Sequence, residues 1–522
     1  VSCIPVGIGL HRGVRLRGLL GGSLAAVLVL GGLPARADTL EQALIAAYGN
    51  NPVLNAARAD QRAVDENVPI QRSFGRPTVN GTVTLIEFLK QSQVNFTAPE
   101  RALNAGLDLA VPLYQGGAVR NGIRAAQERV AAGRADLRST ESVIFSQVVT
   151  AYMDVIGNEA IASLSANQVE VLEVNLQATS DRFEIGDLTR TDVAQSESRL
   201  AIARGDLENA RANLVGARER YIQLVGSAPT DLQPPPPLAN LPELVDDAVD
   251  VAVQNNPDVI AAIERAEAAG FDIRVAGAGR LPRLDAFTQG SYQNFLGTLG
   301  SVPGTGSANQ VATDLQAGVR LTLPLYQGGQ FAAQRRQAQA QAASTLENAV
   351  AIERDVVQQT RSAFTSWRAA LAVIESSQVA VEAAELSLEG VQAENTVGNR
   401  TILDILDAQR ELLIAQVNLV TARRNAYVAA FTLLAAMGRA EARDLGLADD
   451  VPFYDPADNY ERVQGKWWNW DTDPDPTVQS PRTVDIPAQA ADVPSEDQAG
   501  SGAQDILEDT NVGEQPAVVP QP

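Results

Sequence analysis

The sequence predicts an α+β membrane protein made of two tandem copies of one unit, with four β-strands and long coiled-coil helices in each chain. Three observations lead there. Val111-Pro-Leu-Tyr-Gln-Gly-Gly117 returns as Leu323-Pro-Leu-Tyr-Gln-Gly-Gly329, an offset of 212 residues. Large and small apolar residues recur every seventh position through long tracts. Short segments before each heptapeptide alternate apolar with polar residues.

The repeat keeps register over more than a hundred residues. Gly186 recurs as Gly398, Asp192 as Asp404 and Gly226 as Gly438, all at the same offset of 212. Upstream, Asn50-Asn51-Pro52 matches Asn255-Asn256-Pro257 at 205, so seven further residues fall before the second heptapeptide. The first repeat spans residues 38–232, a Pro-rich connector 233–240, and the second repeat 241–450.

The chain opens with Arg12, Arg15 and Arg17, an apolar stretch from Leu19 to Leu33, and Ala35-Arg36-Ala37, the order of a secretory signal peptide over 1–37. Cys3 lies far upstream of the expected cut and is not placed for lipidation. Each copy then begins with an Ala-rich helix of medium length, about 40–72 and about 241–279, ended by Pro77 or Pro282.

The strands come next. Leu107, Leu109, Val111 and Leu113 keep step against Gly106, Asp108 and Ala110, and Leu315 to Leu323 repeat the pattern. Period two with one apolar and one polar face is a strand between two solvents. A soluble sandwich is the simpler reading, but about four strands cannot bury one another. Their length of roughly 9–11 residues suits a tilted membrane strand, and a trimer would supply the rest of a barrel.

After each heptapeptide a long helix is expected, about 118–185 and 330–397, reaching roughly 100 Å at 1.5 Å per residue. Gly186-Asp187 and Gly398-Asn399 reverse the chain into second helices, about 189–226 and 400–438. There Leu200, Leu207, Leu214 and Tyr221 fall seven apart, as do Ala203, Ala210, Ala217 and Leu224. The second copy places Leu412, Leu419, Ala426, Leu433 and Ala415, Ala422, Ala429, Ala436 at those positions. Medium and second helices stacked end to end would match the long one, giving a wall of even height.

Beyond the repeats, residues 451–522 mix Asp, Pro and Gln and are expected to form a disordered acidic tail. Trp467, Trp468 and Trp470 interrupt it, as a patch docking on the body or as a partner-binding motif.

Composition excludes several chemistries. The only Cys and the only His (His11) leave with the expected signal peptide, so a Ser-His-Asp or Cys-His mechanism and a His/Cys metal site lack their residues. Carboxylate, Lys, Tyr or hydroxyl chemistry remains possible, but with no phosphate loop and no metal cluster in the sequence, catalytic, cofactor-binding and metal residues are expected to be none. The net charge of −22 deepens to −26 without the four Arg of residues 1–37, a surface that repels nucleic acid.

With the repeats, the Pro-Leu-Tyr-Gln-Gly-Gly junctions, Arg182-Phe183-Glu184-Ile185-Gly186, Thr191-Asp192 and Val397-Gly398-Asn399-Arg400-Thr401-Ile402-Leu403-Asp404-Ile405-Leu406-Asp407-Ala408, the chain resembles the TolC-type outer-membrane factors over about 40–445. The resemblance implies a homotrimer, with a twelve-stranded β-barrel in outer-membrane lipid and a twelve-helix periplasmic α-barrel. It implies an exit duct for efflux or type I secretion, served by a periplasmic adaptor and an inner-membrane pump. The alternative is a periplasmic coiled coil or adaptor without a pore.

By the same resemblance the helix-hairpin tips at Gly186, Asp187, Gly398 and Asn399 lie at the periplasmic constriction. Asp404 and Asp407 would form two acid rings in the pore, and Arg400 would link to Thr191 and Asp192 of a neighbouring subunit. Pro112, Tyr114, Gly116, Gly117, Pro324, Tyr326, Gly328 and Gly329 would turn strand into helix. Where the family's best-known member has Tyr three residues before the second tip glycine, this chain has Asn395, so the intrasubunit latch made by that Tyr does not carry over. The residues themselves leave a second role open. Thr189-x-x-Asp192 and Thr401-x-x-Asp404 read as capping boxes. Asp407 lies a turn beyond any cap, and its first-copy counterpart is neutral Gln195. An uncompensated acid in one copy alone points to a specialised location such as a constriction.

Overall fold

The computed structural model describes residues 38–90, 98–300, 308–447 and 453–490. The expected signal peptide, with Cys3 and His11, lies outside them, as does the chain beyond residue 490. The elements follow one another as α1 (Leu40–Asn50), α2 (Pro52–Asp65), α3 (Asn67–Ser73), β1 (Thr78–Glu87), β2 (Arg101–Gln115), α4 (Ala118–Glu184) and α5 (Arg190–Val225). The second copy supplies α6 (Val245–Asn255), α7 (Pro257–Ala278), β3 (Arg283–Asn294), β4 (Val311–Thr322), α8 (Gln330–Thr396) and α9 (Ile402–Ala436), and α10 (Pro456–Val463) closes the series.

The two medium helices are each broken, a departure from the single rods expected. Asn51 and Asn256 leave the helical region at ψ 121° and 124° because the following Pro disfavours it. Each Asn then caps the next helix, with Asn51 Oδ1 accepting from Val53 N–H at 2.9 Å and Asn256 Oδ1 from Asp258 N–H at 2.9 Å. The amide ends reach across the fold: Asn51 Nδ2 donates to the Leu224 carbonyl at 3.0 Å and Asn256 Nδ2 to the Ala436 carbonyl at 2.9 Å. These carbonyls lie in the last turns of α5 and α9, where helices leave acceptors without partners. The Asn-Pro motif thus joins the stacked helices end to end, once per copy.

The helices lie side by side in one layer. α4 packs against α5 and α9 along one part of its length and against α1, α2, α3 and α7 along the other; α8 packs against α9, α7 and α6. Leu200, Ala203, Leu207, Ala210, Leu214, Ala217, Tyr221 and Leu224 are all buried on α5. On α9 Ala415, Leu419, Ala422, Ala426 and Leu433 are buried, while Leu412, Ala429 and Ala436 are half-buried. The main core lies where α1, α4, α5 and α9 meet, around Phe145, Tyr152, Tyr221 and Phe431. Each large apolar side chain fully buried there contributes roughly 1.5–3 kcal/mol. The connector is seated on this core: the Tyr152 hydroxyl donates to the Gln233 carbonyl at 2.6 Å, and the Tyr427 hydroxyl to that of Pro236 at 3.2 Å.

The strands form one antiparallel sheet in the order β1-β2-β3-β4. Its register sets Val79 opposite Leu109, Leu85 opposite Leu103, Ala286 opposite Val319 and Gly290 opposite Leu315. One face is therefore apolar, and the other carries Asn80, Asp108, Asp285, Gln289, Asp314 and Arg320. Among the described residues neither β1 nor β4 has a second partner strand. β2 has 15 residues, longer than expected, with an irregularity between Pro112 and Tyr114 where proline offers no N–H. β4 stops at Thr322, opposite Arg283, the first residue of β3, so Leu323 lies beyond the ladder. After β2, Gly116 and Gly117 take φ of 63° and 82°, and Gly328 and Gly329 take 58° and 84° at the equivalent point. Two consecutive left-handed residues turn strand into helix at once, a conformation that side chains with a Cβ resist.

The disordered tail expected from residue 451 does not hold for 453–490. Asn459 on α10 donates to the buried Asp65 at 2.7 Å, Arg72 donates to the Gln464 carbonyl at 2.7 Å, and Arg76 donates to that of Lys466 at 2.5 Å. The strap then turns back. Asn55 donates to Ser480 at 3.0 Å, and Arg218 on α5 donates to the Ala490 carbonyl at 3.1 Å. Polar anchoring is joined by a little apolar burial, with Val463 buried and Phe453, Tyr454 and Tyr460 packed on the body.

Candidate functional site: the helical hairpin tips

Both hairpins turn through a left-handed glycine, Gly186 at φ 85° and Gly398 at 81°. Beyond it the next N–H bonds backwards, Asp187 to the Arg182 carbonyl and Asn399 to that of Glu394. Each turn is also laced by an ion pair, with the polarity reversed between copies. In the first, Arg182 Nε donates to Asp187 Oδ2 at 2.8 Å; in the second, Arg400 Nε donates to Glu394 Oε2 at 2.7 Å. Arg400 also lies 3.8 Å from Asp404. The site in the second turn where the latch tyrosine was missing is filled by a different contact. Asn395 Nδ2 donates to the Arg400 carbonyl at 2.8 Å, so it closes its own turn.

Both capping boxes form. Thr189 N–H donates to Asp192 at 2.9 Å and Thr401 N–H to Asp404 at 2.8 Å, and each threonine hydroxyl accepts the return bond from the Asp N–H at 3.4 Å. The hydrogen bonds from Thr189 and Thr401 hold the Asp192 and Asp404 carboxyls below the usual carboxylate range. Glu394 in turn raises the Arg400 guanidinium. Within one chain Arg400 is engaged on its own hairpin and Asp192 in its own cap, while Thr191 is exposed.

Asp407 is not uncompensated. Arg199 on α5 donates to it at 2.5 Å, with the arginine side chain 24% exposed and the aspartate 56%. Its neutral counterpart Gln195 suggests a lone acid, but the partner lies 208 residues away and leaves no local signal. The one trace is a swap between copies: Arg199 corresponds at the 212-residue offset to Glu411. Beside this pair, Asn175 donates to Gln409 at 3.0 Å, and Leu406 is buried among Leu172, Leu200 and Ala203. The two hairpins of one chain are therefore tied together by an ion pair, an amide pair and a small apolar cluster.

One group of acids elsewhere has the spacing to hold a cation. Glu128, Glu264 and Glu267 bring carboxylate oxygens within 4.8 Å of one another. Burial and the hydrogen bond with Glu128 raise the Glu264 carboxyl, and the charges of Glu128 and Glu267 push it the same way.

The outer membrane efflux protein family model matches residues 44–227 and 248–439, the two copies in turn. The chain belongs to that family. Among its relatives, the outer membrane efflux protein BepC of Brucella suis is 34% identical over 448 residues, covering 85% of this chain and 95% of BepC. Outer membrane protein TolC of Escherichia coli is 28% identical, covering 79% and 84%. Among solved structures, the CmeC outer membrane channel of Campylobacter jejuni superposes with a TM-score of 0.67 at 16% identity, covering 82% of this chain and 89% of its own. CusC gives 0.66 at 18%, covering 76% and 92%. Those two likenesses concern the fold. As a family member the protein is an outer-membrane exit duct, and the poreless coiled-coil alternative is left without support.

Proposed function

We propose that three copies of this chain close into one duct, a twelve-stranded barrel continued by a twelve-helix tunnel, which takes cargo from an inner-membrane pump through a periplasmic adaptor. The observation that carries this reading is the sheet, with an exposed apolar face and two edges that have no second partner among the described residues. Lipid satisfies the apolar face, and only closure removes the edges. The helices support it: 25 of the 67 residues of α4 are buried but only 6 of the 67 of α8, which leaves α8 a flank for a neighbouring copy. At the tips, Asp404 and Asp407 of three copies would ring the narrowest point. Arg400 would reach Thr191 and Asp192 of the next copy without leaving Glu394. The decisive experiment is native mass spectrometry of the detergent-extracted outer-membrane protein, with conductance in planar bilayers. A trimer that conducts is expected; a non-conducting monomer recovered from the soluble periplasm refutes the closure.

A further inference from the structure

The three tryptophans of the strap are held at the boundary between helix layer and sheet, and they face outward. Arg76 places them. Its guanidinium donates to the Lys466 carbonyl and stands 4.6 Å from the ring centroid of Trp467, and β1 starts two residues later at Thr78. A pair of short ion-pair clamps stiffens the turn: Lys466 to Asp471 at 3.1 Å, and Arg462 to both oxygens of Asp473 at 2.7 and 2.8 Å. Despite this anchoring Trp467, Trp468 and Trp470 stay 64%, 81% and 90% exposed. The docking patch expected from the sequence is thus only half realised, since the backbone docks and the indoles do not. The same level of the molecule carries other exposed aromatics, Phe74 before β1 and Tyr114 and Tyr326 at the two junctions.

We propose that Trp467, Trp468 and Trp470 form an interfacial anchor that enters the headgroup layer of the outer membrane's periplasmic leaflet. Indoles favour that layer because the ring leaves water while the N–H keeps a polar partner. The strap thereby extends the aromatic girdle of the barrel rim with residues from outside the repeats. Its occupant is lipid because the indoles continue, at the same height, the apolar sheet face that begins at Val79. The acids beside them do not oppose this, since Asp471 and Asp473 are neutralised by Lys466 and Arg462. The proposal rests on the membrane insertion of the sheet described above.

Tryptophan fluorescence in nanodiscs made with brominated phosphatidylcholines tests it. The chain has four Trp, and the fourth, Trp367, is buried 37 residues along α8, about 55 Å from the sheet at 1.5 Å per residue. Quenching of the full chain, stronger with bromines near the glycerol than near the chain ends, is expected. It should vanish in the triple variant Trp467→Ser, Trp468→Ser, Trp470→Ser. Leu85→Trp in that triple background reports insertion of the sheet independently. Quenching at Leu85→Trp without quenching of the strap, with or without the blue-shifted emission of indoles covered by a neighbouring subunit, overturns the anchor and leaves the duct standing. Absence of quenching at both overturns the insertion as well.

Discussion

In the proposed duct, replacing Asp407 by Ala should make the constriction less favourable to cations. Because Arg199 already balances Asp407, the variant does not merely delete an acid; it leaves a guanidinium 24% exposed and without this partner. In a trimer that is three new positive charges. For a permeating cation at about 5 Å, each contributes roughly 0.8 kcal/mol of repulsion at the dielectric constant of water. Three give about 2.5 kcal/mol, which a Debye length of about 10 Å reduces to roughly 1.5 kcal/mol. That corresponds to an approximately tenfold fall in cation permeability, since about 1.4 kcal/mol is a factor of ten, and, with the anion favoured by as much, to a fall on the order of a hundredfold in the cation-over-anion ratio. The assay is the reversal potential across a planar bilayer with a KCl gradient. Arg199→Ala with Asp407→Ala should restore selectivity to near that of the unaltered protein, because the pair leaves together. Unchanged selectivity in the single variant would refute the placement of Asp407 at the pore. A double variant no closer to the parent than the single one would refute the balancing role of Arg199.

Two further outcomes concern stability. Gly438→Ala should lower the denaturation midpoint far more than Gly398→Ala, and equal losses would contradict the packing described. Both glycines are left-handed, at 69° and 81°, which disfavours Ala by roughly 1–2 kcal/mol in each case. At Gly438, however, a Cβ would also sit 2.5 Å from the Asn255 carbonyl oxygen and 2.8 Å from Asn256 Cα, where at Gly398 it meets nothing. Glu141 gives a pH signature: burial raises its carboxyl above the ordinary 4.5, against the hydrogen bond accepted from Ala442 N–H. The folded state thus holds the proton more tightly, so the contribution of Glu141 is full below pH 4.5 and is lost as pH rises through the raised value. Glu141→Gln keeps the acceptor and should flatten the fall in thermal midpoint between acid and neutral pH; parallel profiles for the two proteins would dismiss it.

What could be read from the sequence was whatever repeats over short distances. Leu200 to Leu224 announce a packed helix face because seven-residue spacing is a local signal, and Leu107 to Leu113 announce a two-faced strand for the same reason. The capping boxes at Thr189 and Thr401 were equally local. The Asn-Pro breaks were visible as a repeated motif, yet their work is long-range: the Asn51 amide meets Leu224, 173 residues on. The pairing of Arg199 with Asp407 across 208 residues has no sequence period, and neither has the strap, whose anchors at Asp65, Arg72 and Arg76 lie some 390 residues before it. Composition marked that strap as disordered; it gave no warning that polar bonds, with the burial of Val463, would seat it.

The reversed polarity of the two turns, Arg182 to Asp187 in one and Arg400 to Glu394 in the other, bears on how a closing mechanism can arise. A ring of six separate, identical hairpins would be bound by sixfold symmetry. Any charge gained by one would be gained by all, and every neighbour would meet its own likeness. In the proposed trimer, fusing two hairpins into one chain lowers that symmetry to threefold. Alternate positions around the ring then vary independently, so that a basic residue on one kind can face an acid on the other. Point changes in a duplicated gene are enough to turn a plain tube into one whose mouth has two sorts of hinge.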